Sequence, residues 1–288
     1  MARILTVGTV TLDLVFGLQH HPDADEEMRA ESLRTARGGN AANSAVVLAQ
    51  LGHQLEFLGT LADAPETSVI SQDFAHYGVD FSHCPCLPGR PPTSSIYLAG
   101  DTRSIVHYRD LPELSFDDFK KALLQAFDWV HFEGRNIEAV TAMMLYVREA
   151  RPGLPISLEL EKPRDGIASL FGLADLLICS RHFARHMQHV EPHDFLPWMQ
   201  QQAPQAQVVL AAGEQGAYAL DDAGVVHHAP AMPPPKVLDT LGAGDTFNAA
   251  LIDAAIRELS LPKMLEAACS LAGQKCGVLG FELGLKAK

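Results

Sequence analysis

The run from Asp239 to Phe247 (DTLGAGDTF) places two closely spaced glycines and a carboxylate ahead of a predicted helix. The first N–H groups of a helix have no intrahelical acceptor, and the helix dipole adds positive potential there. Gly242 and Gly244 would let this backbone approach an anion closely, which suits phosphate. Asp245 would lie where the phosphate arrives, and a carboxylate there suits the task of taking a proton from an attacking hydroxyl. The run therefore fits a phosphoryl-transfer site with Asp245 as its base.

The same spacing also fits a plain helix start, because an aspartate preceded by glycine is a common N-cap arrangement. No G-x-x-x-x-G-K-[ST] sequence occurs in the chain, so a Walker A loop is excluded. The third glycine of a dinucleotide-binding fingerprint is missing as well. The run alone leaves the catalytic and the structural interpretation open.

A second run in the N-terminal half, Gly38 to Asn43 (GGNAAN), accompanies the first. DTLGAGDTF resembles the C-terminal signature of the ribokinase-like carbohydrate kinases, and GGNAAN is similar to their Gly-Gly-x-x-x-Asn element. Similar blocks lie between Gly8 and Phe281, so the resemblance spans almost the whole chain. It implies a sugar kinase that transfers the γ-phosphate of ATP to a hydroxyl.

The resemblance implies roles for single residues on the sugar side. Asp245 would be the catalytic base, with Gly242, Ala243 and Gly244 as the anion hole. The sugar would be held by Asp13, Gly39, Asn40 and Asn43. Asn40 and Asn43 are three apart on one predicted helix face, so their amides could reach neighbouring hydroxyls. The paired glycines would let the sugar lie against bare backbone.

On the nucleotide side, the resemblance implies an ATP-binding set made of Arg103, Gly213, Glu214, Gln215, Gly216 and Cys276. Arg103 would contact phosphate, and Gly216 and Cys276 would lie near the adenosine. A cysteine in that position also fits a small buried apolar residue. Asp239 and Thr240 resemble part of a loop that binds a monovalent cation such as K⁺ in many relatives.

Magnesium is expected with ATP, because Mg²⁺ bridges phosphate oxygens and keeps several waters. Many members of the family carry an Asn-x-x-Glu element that helps to organise it. Here the corresponding stretch is Ser180-Arg181-His182-Phe183, with neither residue type. The sequence therefore names no protein ligand for Mg²⁺, and Arg181 fits either a charge near phosphate or a solvated side chain.

Several blocks resemble the ketohexokinase group within the family, among them WVHFEGRN from Trp129, ELEKPR from Glu159 and GQKCGVLGF from Gly273. This resemblance favours a ketohexose such as fructose, phosphorylated on its 1-hydroxyl. A kinase for another sugar, a sugar acid or a nucleoside stays open. So does a non-catalytic sugar or nucleotide sensor, although the presence of Asp245 argues against it.

The pattern along the chain predicts strands that alternate with helices, which implies a largely parallel sheet covered on both faces. Short apolar runs at 4–7, 55–61, 129–132, 155–160, 176–179 and 208–212 are the predicted strands. Predicted helices cover 38–51, 66–77, 137–150, 246–259 and 262–277. We expect a three-layer α/β/α ribokinase-like fold.

Two segments, 15–37 and 92–111, break this alternation, and the second reads as a hairpin. We expect them to form a small β-sheet lid on a large domain made of 1–14, 38–91 and 112–288. The resemblance implies that this sheet also pairs two subunits into a homodimer. Asp25 would then reach the partner's sugar site.

Composition limits the other functions. The chain has 22 Lys and Arg against 35 Asp and Glu, a net charge of −13, which argues against nucleic acid as a partner. No apolar stretch is long enough to cross a bilayer, and no signal peptide is recognisable. Five scattered cysteines are typical of a reduced, cytoplasmic protein. His182 and His186 are four apart, but neither a following glutamate nor a cysteine pair completes a metal site.

Overall fold

The structure is a computed structural model that describes residues 1–100 and 102–285. Asp101, which falls in the predicted lid segment 92–111, and residues 286–288 lie outside the described part. The strands are β1 (Arg3–Val7), β2 (Thr11–Leu18), β3 (Ser32–Gly38), β4 (Gln54–Leu58), β5 (Leu61–Asp63), β6 (Val79–Asp80), β7 (Cys86–Pro88), β8 (Thr93–Ala99), β9 (Thr102–Tyr108), β10 (Trp129–Glu133), β11 (Ile156–Leu160), β12 (Leu176–Ser180), β13 (Gln207–Ala211), β14 (Ala217–Leu220) and β15 (Val226–Ala229). The α-helices are α1 (Asn40–Gln50), α2 (Thr67–Tyr77), α3 (Phe116–Phe119), α4 (Ile137–Ala150), α5 (Arg181–His186), α6 (Pro192–Gln202), α7 (Ala243–Ile256) and α8 (Leu261–Cys276).

The main sheet has the strand order β15-β14-β13-β12-β11-β10-β1-β4-β6 within the described residues. It is parallel from β6 to β13, and β14 and β15 continue it as antiparallel edge strands. Every residue of β10 and β11 is buried, as expected of parallel strands with helices on both faces.

Two apolar layers enclose this sheet. On one face, α1, α2, α7 and α8 pack against it through residues such as Phe74 and Leu251. On the other face, α3 to α6 pack through residues such as Met144 and Phe195. The predicted three-layer α/β/α fold is confirmed.

The second sheet has the order β3-β2-β8-β9, and it contains both segments that break the strand–helix alternation. It begins at Thr11, four residues before the boundary at Val15 that the sequence pattern suggests. Asp13 therefore lies within a strand of the lid and not in a loop after β1. The sheet stands over the edge where β1, β10 and β11 end.

Two predicted elements have different bounds. The strand expected over 55–61 is two strands: β4 ends at Leu58 in the main sheet, and β5 begins at Leu61 and pairs with β7. Gly59 lies between them, where a Cβ would lie 2.4 Å from the carbonyl oxygen of Gly8. The helix expected from Thr246 begins at Ala243, directly after Gly242 turns the chain with φ of 80°. Asp245 thus belongs to the first turn of α7. Within the described residues, no helix is both long and apolar enough to span a membrane.

Candidate active site

A cavity of about 560 Å³ lies between the lid sheet, the carboxyl ends of β10 and β11 and the first turn of α7. Ligand sites of open α/β sheets lie at this end of the strands. The cavity brings together ten of the residues that the sequence singles out: Asp13, Gly39, Asn40, Asn43, Arg103, Asp239, Thr240, Gly242, Gly244 and Asp245.

Asp245 is buried at 7% exposure, yet it lines the cavity. Its Oδ2 accepts a hydrogen bond of 2.5 Å from Asn43 Nδ2, and Ser44 Oγ donates to its backbone carbonyl. Burial raises the pKa of Asp245 to about 7; the Asn43 hydrogen bond and Arg37 lower it, whereas Glu161 and Glu133 raise it. A carboxyl with a pKa near 7 is matched to general-base work near neutral pH.

Asn43 has a different task from the one the sequence suggests. Its Nδ2 donates to Asp245, and its Oδ1 accepts from Arg37 Nη1. Because both ends of the amide are engaged by the protein, Asn43 holds the candidate base in place. The sequence predicts contact with sugar hydroxyls instead, and that role stays a prediction.

Asn40 also contacts the protein. Its Nδ2 lies between Glu159 Oε2 and Glu161 Oε2, at 3.1 and 3.2 Å. Asn248 Nδ2 donates to the other oxygen of Glu159 at 2.9 Å. Burial raises the pKa of Glu159 well above its usual value, with Asp245 adding to the effect. The cavity floor is therefore a set of carboxylates held by amides.

Glu133 completes this floor from β10. Its Oε2 accepts from the backbone N–H of Thr9 at 3.0 Å, and its Oε1 from Arg135 Nη1 at 3.3 Å. Burial raises the pKa of Glu133, and the charge of Arg135 opposes that rise. Glu133, Glu159 and Glu161 were not named as site residues from the sequence. Their signal was available, because each stands at or just after the carboxyl end of a parallel strand.

Asp13 and the paired glycines fit closely together. Thr11 Oγ1 donates to Asp13 Oδ1 at 2.7 Å, and a Cβ on Gly38 would lie 2.1 Å from Asp13 Oδ2. Gly39 has a φ of 98°, and a Cβ there would lie 2.1 Å from the carbonyl oxygen of Thr9. These glycines are thus required by packing against protein atoms, which differs from the expected reason of sugar lying on bare backbone.

The first turn of α7 carries the glycines that the sequence predicts as the anion hole, and that role stays a prediction. Gly242 needs both its positive φ and its missing side chain, because a Cβ would lie 2.2 Å from Cζ of Phe281. Gly242 and Gly244 line the cavity, whereas Ala243 is not among its residues and its N–H donates to Thr240 O at 3.3 Å. The N–H of Gly244 lies in the first turn, where it has no intrahelical acceptor and can donate a hydrogen bond to an anion.

The loop ahead of α7 is fastened by two cationic side chains. Asp239 Oδ2 lies 3.0 Å from Arg34 Nη2 and 3.6 Å from Lys275 Nζ. The buried Lys275 also donates to the backbone carbonyl of Asp239 at 2.9 Å. The carboxylate and the carbonyl oxygen of Asp239 are therefore both engaged by cationic side chains of the protein, and a monovalent cation at Asp239 and Thr240 stays a prediction.

The lid contributes Arg103, Ile105 and His107 from β9, and Ser94 from β8. Residues 13, 94 and 107 are neighbours in register across β2, β8 and β9, and His107 Nδ1 lies 3.2 Å from Ser94 Oγ. Burial, Lys162 and Arg135 lower the pKa of His107, so its ring is neutral near pH 7. The cavity side of the lid therefore combines apolar residues such as Ile105 with polar groups, Ser94 and His107, that suit hydroxyls.

The remaining predicted residues lie outside this cavity. Gly213–Gln215 form an exposed turn of 3-10 helix, and Gly216 follows it. A single residue, Ala212, separates this turn from Ala211, which lines the cavity. Cys276 ends α8, where its carbonyl oxygen accepts from Leu238 N at 2.7 Å. Asp25 lies in the exposed turn between β2 and β3. The nucleotide role of the first group and the cross-subunit role of Asp25 stay predictions.

Among the described residues, no group of three or more His, Cys, Asp or Glu side chains is placed to hold a metal ion. This applies to the histidines near α5 and to the carboxylates of the cavity floor. Ser180 begins the stretch that replaces the Asn-x-x-Glu element. Its hydroxyl caps α5 and donates to the carbonyl oxygen of Glu161 at 2.6 Å. Arg181, the next residue, does not line the cavity. A Mg²⁺ that accompanies ATP fits this arrangement, because it takes most ligands from phosphate and water.

Comparison with known proteins identifies the relatives of this chain. The profile of the family described as pfkB family carbohydrate kinase matches residues 1–287. Ketohexokinase of Mus musculus is 37% identical over 291 residues, which covers 97% of this chain and 98% of the mouse protein. The family resemblance drawn from the two sequence runs is confirmed.

Solved structures give the same fold. The ribokinase of Arabidopsis thaliana complexed with ribose and ATP superposes with a TM-score of 0.80 at 22% identity, covering 97% of this chain and 94% of that one. The nucleoside kinase of Methanocaldococcus jannaschii, an archaeal member of the ribokinase family, superposes with a TM-score of 0.76 at 19% identity, covering 99% and 95%. At these identities the likeness establishes the fold alone.

Proposed function

The chain belongs to the pfkB family of carbohydrate kinases, and on that premise we propose that it transfers the γ-phosphate of ATP to the 1-hydroxyl of a ketohexose such as fructose. The coarser statement, a phosphotransferase that acts on sugar hydroxyls, follows from the family itself. The ketohexose is supported by the 37% identity with a ketohexokinase over nearly the full length of both chains. One observation carries the chemistry: Asp245, buried and held by Asn43, faces the cavity from the first turn of α7.

The acceptor sugar lies between the lid and the cavity floor in this proposal. Asp13 offers a carboxylate oxygen to sugar hydroxyls from β2, with Gly39, Asn40 and Asn43 around it. Ser94 and His107 add neutral polar groups from the lid. Closure of the lid over the sugar would exclude water, which otherwise competes as the phosphoryl acceptor.

Asp245 accepts the proton of the sugar hydroxyl as that oxygen attacks the γ-phosphorus, and the bond to the bridging oxygen of ADP breaks. The backbone N–H groups at Gly242 and Gly244, with the dipole of α7, stabilise the charge on the transferred phosphoryl group. Arg103 reaches the cavity from β9 as an additional cation for phosphate. ATP extends from this turn past Ala211 towards Gly213–Gly216 and Cys276.

Magnesium, when bound with ATP, neutralises the phosphate oxygens and orients them. We propose that the half-buried carboxylate of Glu161, next to Asn40, accepts hydrogen bonds from the waters of such an ion. A requirement for K⁺ is a separate proposal. It is supported only by the resemblance of Asp239 and Thr240 to a cation loop, and replacing K⁺ by tetramethylammonium in the assay tests it.

We propose that two copies of the chain form a homodimer through the face of the lid sheet that points away from the cavity. The rings of Phe16 and Tyr97 stack on this face with their centroids 5.5 Å apart, and Leu33 and Val106 are 60% and 61% exposed. A second copy of the lid would bury this apolar face, together with the free edge of β9. Asp25 would then approach the partner's site.

ADP release measured with a panel of ketoses, aldoses, sugar acids and nucleosides tests the substrate class. We expect the highest kcat/KM with a ketohexose, and product analysis by NMR should show phosphate on the 1-oxygen. A nucleoside as the best substrate would favour the alternative that the archaeal nucleoside kinase represents. If sugar or ATP binds by calorimetry while no acceptor yields ADP, the protein is a sensor on a kinase fold.

A further inference from the structure

Arg37 is a buried arginine that contacts the candidate base through a single intermediate. Its side chain has only 1% exposure near the end of β3, and its Nη1 donates to Asn43 Oδ1. The other end of that amide donates to Asp245 Oδ2 at 2.5 Å. Two consecutive hydrogen bonds thus connect a permanent positive charge to the carboxylate that faces the substrate cavity.

The other contacts of Arg37 fix its position. Its Nε donates to Asp73 Oδ2 of α2 at 2.5 Å, and its guanidinium lies over the rings of Phe74 and Phe281, at 5.7 and 5.2 Å from their centroids. Phe281 in turn packs against Gly242 of the anion-binding turn. A buried ion pair is seldom more stabilising than an apolar side chain of similar volume, so packing alone does not explain an arginine here.

We propose that Arg37 is a positioning residue for phosphoryl transfer, which holds the carboxylate of Asp245 through the amide of Asn43. This inference rests on the proposed role of Asp245 as the base. The arrangement engages Oδ2 and leaves Oδ1 for the acceptor hydroxyl, and it keeps the two oxygens from exchanging places.

The charges around Asp245 explain why a cation is needed at this point. Glu133 and Glu159 from β10 and β11, and Glu161 just after β11, face the same cavity, and Asp13 lines it from β2. Glu161 and Glu133 oppose ionisation of the buried Asp245, whereas the Asn43 hydrogen bond and Arg37 favour it. Removing Arg37 would therefore keep the base protonated to higher pH.

The test is the pH profile of kcat/KM for Arg37→Met, which retains an apolar chain and loses the charge and the hydrogen bonds. We expect kcat to fall by about 10- to 100-fold and KM for ATP to change by less than about twofold. The acidic limb, the part of the profile in which kcat/KM rises with pH, should move to higher pH by about half a pH unit or more. Arg37→Lys keeps the charge, so its acidic limb should return towards the wild-type position.

Arg148→Met is the matched control. Arg148 also makes several hydrogen bonds, to Leu173 O, Leu154 O and Asp175, but on α4 at the opposite face of the sheet. Its loss can lower stability, but it should leave the acidic limb in place. A folded Arg37→Met enzyme with the wild-type limb and kcat within about twofold would overturn the proposal.

If Arg37→Met does not fold, Asn43→Ala is tested instead, because it removes the amide that connects Arg37 to Asp245. The acidic limb of this variant must also move to higher pH, and an acidic limb at the wild-type position would overturn the proposal. Asp245→Asn separates this inference from the proposed function. If turnover survives Asp245→Asn, the role of the base fails and the inference with it. If Asp245→Asn inactivates the enzyme and the other variants leave the limb unchanged, only the role of Arg37 is wrong.

Discussion

At the scale of single residues, the site depends on one ionisable group in an unusual setting. Asp245 is buried among carboxylates, and burial is the main cause that raises its pKa to about 7. Two features oppose this effect, the Asn43 amide and the charge of Arg37. The balance between them decides at which pH the base can accept a proton.

This balance predicts an acidic limb in the pH profile. The raised pKa means that Asp245 is protonated below about pH 7 and cannot act as a base, so kcat/KM should rise with pH and level off above that value. Initial rates between about pH 5.5 and 9 at low sugar concentration test it, with KM for ATP followed as a control for nucleotide binding. A profile that stays flat down to pH 5.5 would contradict the assignment.

Two short runs with recognisable patterns singled out Asp245 and the glycines of the turn, and the family resemblance added Asp13 as a candidate. The functions of Asn40 and Asn43 could not be predicted in the same way. Glu159 and Glu161, which bind Asn40, lie about 120 residues further along the chain, and Asp245, which binds Asn43, about 200, so the sequence alone does not place them beside the asparagines. A residue's chemistry can be read from its type, but its hydrogen-bond partner depends on the tertiary structure.

At the scale of elements, the backbone geometry at the start of α7 positions the candidate catalytic residues. Gly242 precedes the helix with φ of 80° and packs against the ring of Phe281, so the turn cannot accept a side chain. Position and length of the helix were predicted to within three residues, and the early start at Ala243 is a consequence of this glycine. The C-terminal segment after α8 therefore supports the turn that we propose binds phosphate.

Gly242→Ala should destabilise this element. A Cβ would meet Phe281 at 2.2 Å in a backbone conformation that is strained for alanine, so we expect a loss of about 1–3 kcal/mol in the free energy of unfolding and a higher KM for ATP. Urea unfolding and ATP kinetics are the measurements.

Gly244→Ala is the comparison within the same turn, because a Cβ there meets no protein atom within 4 Å. Its stability should stay within about 1 kcal/mol of the wild type, since alanine is the better helix former. Equal stability losses for the two variants would show that the packing of Phe281 against Gly242 is unimportant.

At the scale of the whole molecule, the lid sheet has two faces with different surroundings. One face lines the cavity, and the other presents the exposed Leu33 and Val106 together with the half-buried Phe16 and Tyr97. The alternation of strands and helices predicted the main sheet, because its strands are short apolar runs. The lid boundary was less accurate, since the mixed residues of β2 carry no clear period and the sheet begins at Thr11.

A lid-mediated dimer predicts that Val106→Asp dissociates the protein into monomers, because a carboxylate would be buried between two apolar faces. Light scattering after size-exclusion chromatography measures the mass. Leu145→Asp on α4 is the matched control, since Leu145 is exposed to a similar extent, 52%, away from the lid. A wild-type monomer at micromolar concentration, or an intact Val106→Asp dimer, would contradict this interface.

The proposal that Asp25 completes the partner's site makes a further prediction. Subunits with Asp13→Ala and subunits with Asp25→Ala should each be inactive, but in a mixed dimer one of the two sites regains both aspartates. Random mixing should then restore about a quarter of the wild-type activity. Absence of any restoration, with mixed dimers demonstrated by differential tagging, would count against Asp25 acting across the interface.

The central claim is that Asp245 takes the proton from the sugar hydroxyl, and Asp245→Asn tests it most directly. Asparagine keeps the size and can retain hydrogen bonding with Asn43, so the fold and the sugar affinity measured by calorimetry should change little. Turnover measured as ADP release should fall by about 10²- to 10⁴-fold, the contribution expected of a general base. A variant that binds sugar normally and retains more than about a tenth of the wild-type kcat would contradict this mechanism.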